Sequence, residues 1–212
     1  MLRIALLDDH PAVLAGLRRL ISSEPDLTVA AVASTAHELA HELDGMRPDV
    51  LVLDYDLART DGLSHCHRIK SRPHPPAVVI YSAYAGPALT VAARAAQADG
   101  VVDKAEPVHS LLAALRSVAN GEVVMPPIPR DVYEAAVARL DDNDLPVFAM
   151  LLDREPHDSI AQALRADPAE IARRARRIIG RLRPQLAVAC AANESTDQAP
   201  SSRIAQSTGR RP

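Results

Sequence analysis

Short apolar runs alternate with longer segments of helical periodicity along the first part of the chain. The apolar runs lie at residues 3–8, 27–33, 49–54, 77–82 and 100–103, and each has the length of a strand buried on both faces. Helical patterns follow them at residues 11–23, 35–44, 62–71, 86–97 and 107–120. Five strand–helix repeats predict an α/β fold, with a doubly wound five-stranded parallel sheet covered by helices on both faces.

The pattern changes after Asn120 and Gly121, which are expected to end the fifth helix. The run Met125-Pro126-Pro127-Ile128-Pro129 excludes a regular helix or central strand, and a helical stretch follows from Asp131 to Leu140. We therefore predict four segments. They are an α/β domain over 1–121, a Pro-rich linker with a linker helix over 122–139, a small all-α domain over 140–186, and a disordered tail over 187–212, which lacks core-forming residues.

The small all-α domain has the pattern of a helix-turn-helix. A scaffold helix around Ile160 and Leu164 is followed by a turn over 165–167 and by a second helix from Pro168 to Leu182. Four aspartates are predicted to be helix N-caps: Asp141, Asp144, Asp158 and Asp167.

The second helix of this motif has one apolar stripe and is rich in arginine elsewhere. The stripe contains Ile171, Ala175, Ile178 and Leu182. Five arginines occupy the other faces: Arg173, Arg174, Arg176, Arg177 and Arg181. Such a helix suits contacts with phosphates and a DNA groove, so these five are candidate DNA contacts, with Arg174 and Arg177 the strongest. The alternative is a solvated arginine face on a helical bundle that binds a protein.

Composition narrows the possible functions. The chain has 212 residues and is 48% hydrophobic, but only 2% aromatic, so the core must be aliphatic. A net charge of −3 does not indicate nucleic-acid binding by the chain as a whole, so any DNA contact must be local. The two cysteines, Cys66 and Cys190, form no motif and suggest a reduced, cytoplasmic protein. We expect no signal peptide, because Met1-Leu2-Arg3-Ile4 runs directly into a strand that ends in acids, and no membrane span, because no apolar run approaches about 18–20 residues.

Polar side chains follow four of the five predicted strands. They are Asp8 and Asp9 after the first, Asp54 at the end of the third, Ser82 at the end of the fourth and Lys104 after the fifth. The carboxyl ends of parallel strands meet at one edge of an open sheet, where ligands bind. Converging carboxylates repel one another unless a cation joins them, and Mg²⁺ prefers oxygen ligands. The set predicts phosphoryl transfer to a carboxylate nucleophile, with the metal and the lysine neutralising the transferred group.

These residues resemble the receiver domain of response regulators, and in particular the subgroup with a LuxR-type helix-turn-helix output domain. The resemblance covers residues 1–120 and rests on Leu7-Asp8-Asp9-His10-Pro11, Leu53-Asp54-Tyr55-Asp56-Leu57, Asp61-Gly62-Leu63, Ser82-Ala83 and Lys104, in this order. A weaker similarity to the LuxR-type output domain covers about Leu140 to Leu182. The resemblance implies a flavodoxin-like sheet with strand order 2-1-3-4-5.

The resemblance also implies roles for individual residues. Asp54 would accept a phosphoryl group from the phosphohistidine of a sensor histidine kinase. Ser82 would hydrogen-bond the phosphoryl oxygen, and Lys104 would pair with it. Mg²⁺ would be held by Asp8, Asp9, Asp54 and the main-chain carbonyl of Asp56. The implied protein is a transcriptional regulator and not an enzyme, and it would bind double-stranded DNA as a homodimer.

Three alternatives stay open at this point. The chain could be a degenerate receiver that is never phosphorylated, or a receiver whose helical C-terminal domain binds a protein instead of DNA. Asp54-Tyr55-Asp56 also resembles the DxD motif of haloacid-dehalogenase-type phosphatases, although that motif normally ends the first strand. Val101 occupies a position where receivers often have an aromatic switch residue, so rotation of a ring there is excluded as the readout.

His65-Cys66-His67 invites a metal-binding interpretation. Adjacent residues of a regular helix point about 100° apart, so these three side chains cannot chelate one ion. We therefore expect them on a partly exposed helix face.

Overall fold

The computed structural model describes residues 1–57 and 60–184, except for the side chains of residues 41, 42, 44 and 60. The predicted disordered tail over 187–212, Cys190 and the last two residues of the predicted helical domain lie outside the described residues. No helix in the described part of the chain combines the length and the apolar character that a membrane crossing requires.

The described residues form a five-stranded parallel sheet and a short antiparallel pair. The strands are β1 (Leu2–Leu7), β2 (Leu27–Ala33), β3 (Val50–Asp54), β4 (Asp56–Leu57), β5 (Thr60–Asp61), β6 (Ala77–Ser82) and β7 (Gly100–Asp103). The parallel sheet has the order β2-β1-β3-β6-β7, and β4 pairs with β5 in the loop after β3. Counted within the parallel sheet alone, the order is 2-1-3-4-5, so the predicted fold is confirmed.

Five helices cover this sheet, and each begins and ends within two residues of its predicted bounds. They are α1 (Pro11–Ser22), α2 (Ala36–Met46), α3 (Gly62–Lys70), α4 (Pro87–Ala95) and α5 (Val108–Ala119). Alternate strand residues point to opposite faces of the sheet, so Ile4 and Leu6 pack with α1 and α5 whereas Ala5 and Leu7 pack on the other side. Both faces are therefore sealed by aliphatic side chains, as the composition predicts.

The C-terminal region consists of four α-helices and a 3₁₀ turn. They are α6 (Arg130–Val137), the 3₁₀ turn (Asp142–Asp144), α7 (Leu145–Leu152), α8 (His157–Leu164) and α9 (Pro168–Leu182). Arg165 ends α8 in the left-handed conformation with φ 51°, and Asp167 begins α9 by accepting a hydrogen bond from the Ala169 N–H at 2.6 Å. The predicted helix–turn–helix pattern is thus confirmed over α8 and α9.

Only one of the four predicted aspartate caps receives a side-chain capping bond. Asp167 is confirmed, but the prediction for Asp158 is wrong, because α8 begins at His157 and Pro156 is its N-cap. Asp141 and Asp144 precede the 3₁₀ turn and α7 without capping them through their side chains. Their carboxylates instead bind arginines of α9, as described below.

The C-terminal helices pack directly on the α3 and α4 side of the sheet. The apolar cluster on that face continues from α4 into α6, α7, α8 and α9, where it includes Phe148, Ile171 and Ile178. The helix α4 is apolar on nearly all sides, and six of its nine residues are buried. A helix with this character needs cover on two faces, and here the sheet domain provides one and the C-terminal helices the other.

Polar contacts reinforce this junction. The Arg94 Nε and the Gln97 Nε2 donate to the Leu152 and Leu151 carbonyl oxygens at 2.9 and 2.7 Å, which satisfies the end of α7. The Arg154 guanidinium, from the loop after α7, bonds the Ala98 carbonyl oxygen and the Asp99 carboxylate, both at 2.5 Å. The Arg154 backbone has a φ of 63°, in the left-handed region that residues other than glycine seldom adopt. Its side-chain contacts across the junction hold it in this conformation.

The structure corrects the interpretation of His65-Cys66-His67. All three side chains are buried, so the expectation of a partly exposed face is wrong. The helix α3 lies between the sheet and α9, and both of its sides are therefore covered. The Cys66 thiol is free, and burial raises its pKa, which makes it an unreactive core residue.

Candidate functional site

The strand ends bring the predicted site residues to one edge of the sheet. Asp54 is the last residue of β3 and pairs in register with Tyr81, and Ser82 at the end of β6 pairs with Asp103. Asp8 and Lys104 come directly after β1 and β7. All strands of the sheet are parallel, so these four strand ends share the carboxyl edge where open α/β sheets bind ligands.

Lys104 joins the two buried carboxylates of this edge. Its Nζ lies 2.7 Å from Asp8 Oδ2 and 3.2 Å from Asp54 Oδ1, and both aspartates are buried. Burial by itself lowers the pKa of Lys104, but the bonds to Asp8 and Asp54 outweigh it and hold the pKa above its usual value. Lys104 therefore stays charged, and its Nζ also lies 5.7 Å from the centre of the Tyr81 ring.

Four side chains at this edge converge closely enough to share a cation. Ligand atoms of Asp8, Asp9, His10 and Asp54 all lie within 4.8 Å of one another. Burial and the charge of Asp8 raise the pKa of Asp54, and Lys104 opposes them without cancelling the rise. Three carboxylates against one ammonium leave negative charge in need of a cation, and the mainly oxygen ligand set suits Mg²⁺.

His10 was not predicted as a site residue, yet its Nδ1 lies 3.1 Å from Asp8 Oδ1 and 2.9 Å from Asp9 Oδ1. The signal in the sequence was its position directly after the two aspartates, where the His10 backbone N–H also donates to Asp8 Oδ1 at 2.8 Å. The Asp56 side chain is exposed and lies outside the cluster of four. Its role as a ligand through the main-chain carbonyl stays a prediction.

Ser82 is fully buried and fixed by its neighbours. Its Oγ accepts a hydrogen bond from the Tyr84 N–H at 3.0 Å, and its carbonyl oxygen accepts one from the Lys104 N–H at 2.9 Å. The hydroxyl proton remains available to donate to a group that enters the site.

The loop after Asp54 folds back tightly on the strand end. The Gly62 N–H donates to the Tyr55 carbonyl oxygen at 2.9 Å. A Cβ at Gly62 would lie 2.2 Å from the Asp54 carbonyl oxygen and 2.9 Å from the Tyr55 Cα, so only glycine fits there. Asp61 then begins α3 by accepting a hydrogen bond from the Ser64 N–H at 2.9 Å. Gly62 therefore packs against the backbone of Asp54 with no room for a side chain.

Comparison with known proteins agrees with this geometry. Residues 4–116, more than half of the chain, match the family of response regulator receiver domains. The chain belongs to this family. The acidic edge described above lies within the matched residues.

Relatives extend the similarity beyond the receiver domain. The Bacillus subtilis transcriptional regulatory protein DesR is 27% identical over 165 residues, which cover 77% of this chain and 81% of DesR. The Escherichia coli nitrate/nitrite response regulator NarL is 34% identical over 125 residues, 58% of this chain, and the match spans only 56% of NarL. A crystal form of the Salmonella typhimurium response regulator RcsB covers 85% of this chain and 91% of its own, with a TM-score of 0.55. At 20% identity, RcsB shows similarity of fold alone.

Three of the five arginines predicted to contact DNA form ion pairs with aspartates that lie just before α7. Arg174 Nε lies 3.2 Å from Asp144 Oδ1, and the Arg177 Nε and Nη2 lie 2.8 and 2.6 Å from the same carboxylate. The Arg181 Nη1 lies 2.8 Å from Asp141 Oδ2. Asp144 is fully buried, and the bonds from Arg177 and Arg174 hold its pKa below the usual value. The bonds from Arg174 and Arg177 to Asp144 therefore fasten α9 to the start of α7.

The remaining two arginines, Arg173 and Arg176, have no carboxylate partner within residues 1–57 and 60–184. Arg173 is exposed and borders a surface pocket of about 520 Å³ together with Arg174 and Arg177. Arg176 lies on the other side of α9, towards the receiver domain. The accessible positive charge of α9 is thus divided between two faces.

Proposed function

We propose that this protein is a response regulator of a two-component system that accepts a phosphoryl group on Asp54 from a sensor histidine kinase. The observation that carries the proposal is the pairing of Asp54 with Lys104 beside Asp8 at the carboxyl edge of the sheet. A carboxylate in this position is a nucleophile with a fixed cation next to the point where negative charge arrives.

The chain's own residues account for most of the transfer. An Asp54 carboxylate oxygen forms a bond to phosphorus as the bond from phosphorus to the donor imidazole breaks, which yields an aspartyl phosphate. Lys104 would compensate the incoming charge, and the Ser82 hydroxyl would donate to a phosphoryl oxygen. Asp8, Asp9 and Asp54 would hold Mg²⁺, which supplies further neutralisation of the phosphoryl oxygens.

Incubation of the full chain with acetyl phosphate and Mg²⁺ should add the mass of one phosphoryl group. Asp54→Asn should abolish this gain, because an amide is not nucleophilic, and EDTA should prevent it in the unmodified chain. Asp26→Asn, at an exposed carboxylate that binds Arg116 at the surface, serves as the matched control and should still gain the phosphoryl group. If the unmodified chain gains no mass that depends on Asp54, the chain is a degenerate receiver.

We further propose that α9 binds double-stranded DNA through its exposed face. The supporting observations are the helix–turn–helix formed by α8 and α9, the unpaired Arg173, and the description of the relative DesR as a transcriptional regulator. In this arrangement Arg173 would make the strongest contact. Arg174 and Arg177 would contribute only the part of their guanidinium groups that Asp144 does not engage.

Arg173→Ala should weaken DNA binding and lower the slope of log affinity against log salt by about 1, as expected for the loss of one phosphate contact. Arg18→Ala, at an exposed arginine of α1 in the receiver domain, is the matched control and should leave the slope unchanged. Fluorescence anisotropy of genomic duplex fragments across a salt series measures both slopes. If no fragment binds with a salt-dependent affinity, a protein partner replaces DNA as the proposed target.

The end of α9 offers a route from Asp54 to the proposed output. The Arg183 guanidinium bonds the Asp61 carboxylate, and its Nη2 lies 3.2 Å from Ser64 Oγ. The Tyr55 hydroxyl donates to the Pro184 carbonyl oxygen at 3.4 Å, directly after the phosphoacceptor. A phosphoryl group on Asp54 would disturb this loop and so release α9 or alter homodimer formation. The homodimer and the cytoplasmic location stay predictions.

A further inference from the structure

A cavity of about 780 Å³ lies between the receiver domain and the helix–turn–helix, and we call it the interdomain cavity. One wall is formed by α3 and the residues after it, including His67 and Arg68. The other is formed by the loop before α8, the start of α8 and α9, and it includes His157 and Arg176. Its volume lies in the range of small-molecule sites, and such sites occur preferentially where domains meet.

Two guanidinium groups in this cavity lack a carboxylate partner in the described part of the chain. Arg176 has no ion pair there, and Arg68 donates to the neutral ring nitrogen Nδ1 of His65 at 2.8 Å. Two carboxylates, Glu155 and Asp158, also line the cavity, but neither forms an ion pair with these arginines. The two lining cations Lys70 and Arg154 are already paired with Asp99. Arg72, which also lines the cavity, has interactions of its own. Arg68 and Arg176 therefore provide one guanidinium from each domain without a carboxylate partner in the described part of the chain.

Two imidazoles meet in the same cavity. The His67 and His157 ring centres are 5.0 Å apart, and the rings are tilted by 44°. His67 is 96% buried, and its Nδ1 has no hydrogen-bond partner among the described residues. Burial, His157 and the Arg176 charge lower the pKa of His67 to about 4, and burial and Arg176 also lower the pKa of His157 against the opposing charge of Asp158. Both rings are thus neutral in a positive local field.

We propose that the interdomain cavity binds a small phosphate-class anion, either inorganic phosphate or a small phosphate ester, held by Arg68 from the receiver domain and by Arg176 and His157 from the helix–turn–helix. An oxyanion between these groups would accept charge-assisted hydrogen bonds from the two guanidinium groups and from an imidazole N–H. It would also offset the positive field that, after burial, contributes to keeping His67 and His157 neutral. Because its ligands come from both domains, the anion would stabilise the packed arrangement of α9 on α3.

A metal ion is the other class of ligand that two imidazoles suggest, but the surroundings argue against it. Arg68 and Arg176 place two positive charges at the same cavity, and neither is neutralised by a carboxylate. Among the described residues, the four side chains that lie close enough together to share a cation are those around Asp54, not those of the interdomain cavity. Positive charge repels a divalent cation and attracts an oxyanion.

The proposal is tested by NMR of the imidazole rings in the full chain, titrated with inorganic phosphate in the presence of EDTA. Sulfate serves as a second probe because its charge stays constant across the pH range. We expect saturable shifts of the His67 and His157 signals, and a rise of at least about 1 unit in the pKa of His67 at saturation, since the anion favours the protonated ring. Binding should therefore tighten as the pH falls.

Arg68→Gln should weaken phosphate binding by about tenfold or more, because it removes one charged hydrogen-bond donor from the site. Arg18→Gln is the control at an exposed arginine in α1 and should bind phosphate as the unmodified chain does. Shifts that do not saturate, or that Arg68→Gln leaves unchanged, would overturn the proposal. It would also be overturned if a DNA duplex moved the two histidine signals while phosphate and sulfate did not, which would assign the cavity to the DNA backbone. None of these outcomes bears on phosphoryl transfer to Asp54.

Discussion

Asp144→Asn is expected to lower the free energy of unfolding by about 3 kcal/mol, the lower end of the range for breaking a buried ion pair, because Arg177 is half exposed. The Asp144 carboxylate is fully buried and accepts three bonds from Arg174 and Arg177. An amide of the same shape can accept at only one atom. It leaves Arg177 without the carboxylate it binds, and it leaves Arg174 with only Glu170, whose Oε1 lies 4.0 Å from Arg174 Nη1. Arg174, with 15% of its side chain exposed, cannot recover full hydration.

Urea unfolding of the full chain, followed by circular dichroism, measures this loss. Asp141→Asn is the matched control, because it removes the neighbouring carboxylate whose pair with Arg181 is exposed and screened by solvent, and it should shift the unfolding midpoint much less than Asp144→Asn does. Equal unfolding midpoints for the two variants would show that the buried pair does not fasten α9.

The same pair predicts a pH dependence. The arginine bonds hold the pKa of Asp144 in the folded chain below its unfolded value. The stabilisation is therefore fully present above the usual carboxyl pKa and is lost as the pH falls through the lower folded value. The stability difference between the unmodified chain and Asp144→Asn should shrink in acid, and a difference that is constant with pH would contradict this origin.

Gly62→Ala is expected to slow phosphoryl uptake from acetyl phosphate by at least about tenfold, because displacing a reacting group by about 1 Å costs far more than that in many sites. The new Cβ would lie 2.2 Å from the Asp54 carbonyl oxygen. Because that oxygen belongs to the backbone and not to a flexible side chain, the end of the strand itself must shift. The same overpacking should lower the free energy of unfolding by about 1–3 kcal/mol.

Intact-mass kinetics and urea unfolding measure the two effects of Gly62→Ala separately. Gly16→Ala is the control, since a Cβ at that position of α1 meets nothing within 4 Å. It should leave phosphoryl uptake unchanged and raise stability by about 0.4–1 kcal/mol, because alanine loses less conformational entropy in a helix. Uptake by Gly62→Ala at the normal rate would mean that the loop does not position Asp54.

The receiver site was predictable because each of its parts depends on local patterns. An apolar run in the sequence indicates a buried strand. In a parallel sheet the carboxyl ends of all strands then lie at one edge. Asp8, Asp54 and Lys104 therefore meet although they are distant in the chain. The cluster that converges at this edge differs from the predicted metal ligands in two residues: it contains His10, whose contact with Asp8 and Asp9 depends on the conformation of one loop, and it lacks the Asp56 side chain.

The wrong expectations concern residues whose neighbours come from another part of the chain. His65, Cys66 and His67 are buried because α9 covers α3, and nothing in residues 62–71 indicates that cover. A signal did exist in α4, which is apolar on nearly all sides and therefore needs a second layer. Asp144 had the position of a helix cap, but two arginines of α9 are stronger partners than a backbone N–H.

The amino-acid sequence by itself determined the α/β fold, the strand order through its resemblance to receivers, the acidic edge around Asp54 and the helix–turn–helix in α8 and α9. These follow from periodicity, turn residues and strand ends, which act over short stretches of chain. Only the tertiary structure decided which arginines of α9 are engaged by Asp144, that α9 lies on α3, and that His67 meets His157 in a cavity. Those features depend on how two separately patterned regions pack, because the partner of each group is set by the shape of the whole interface.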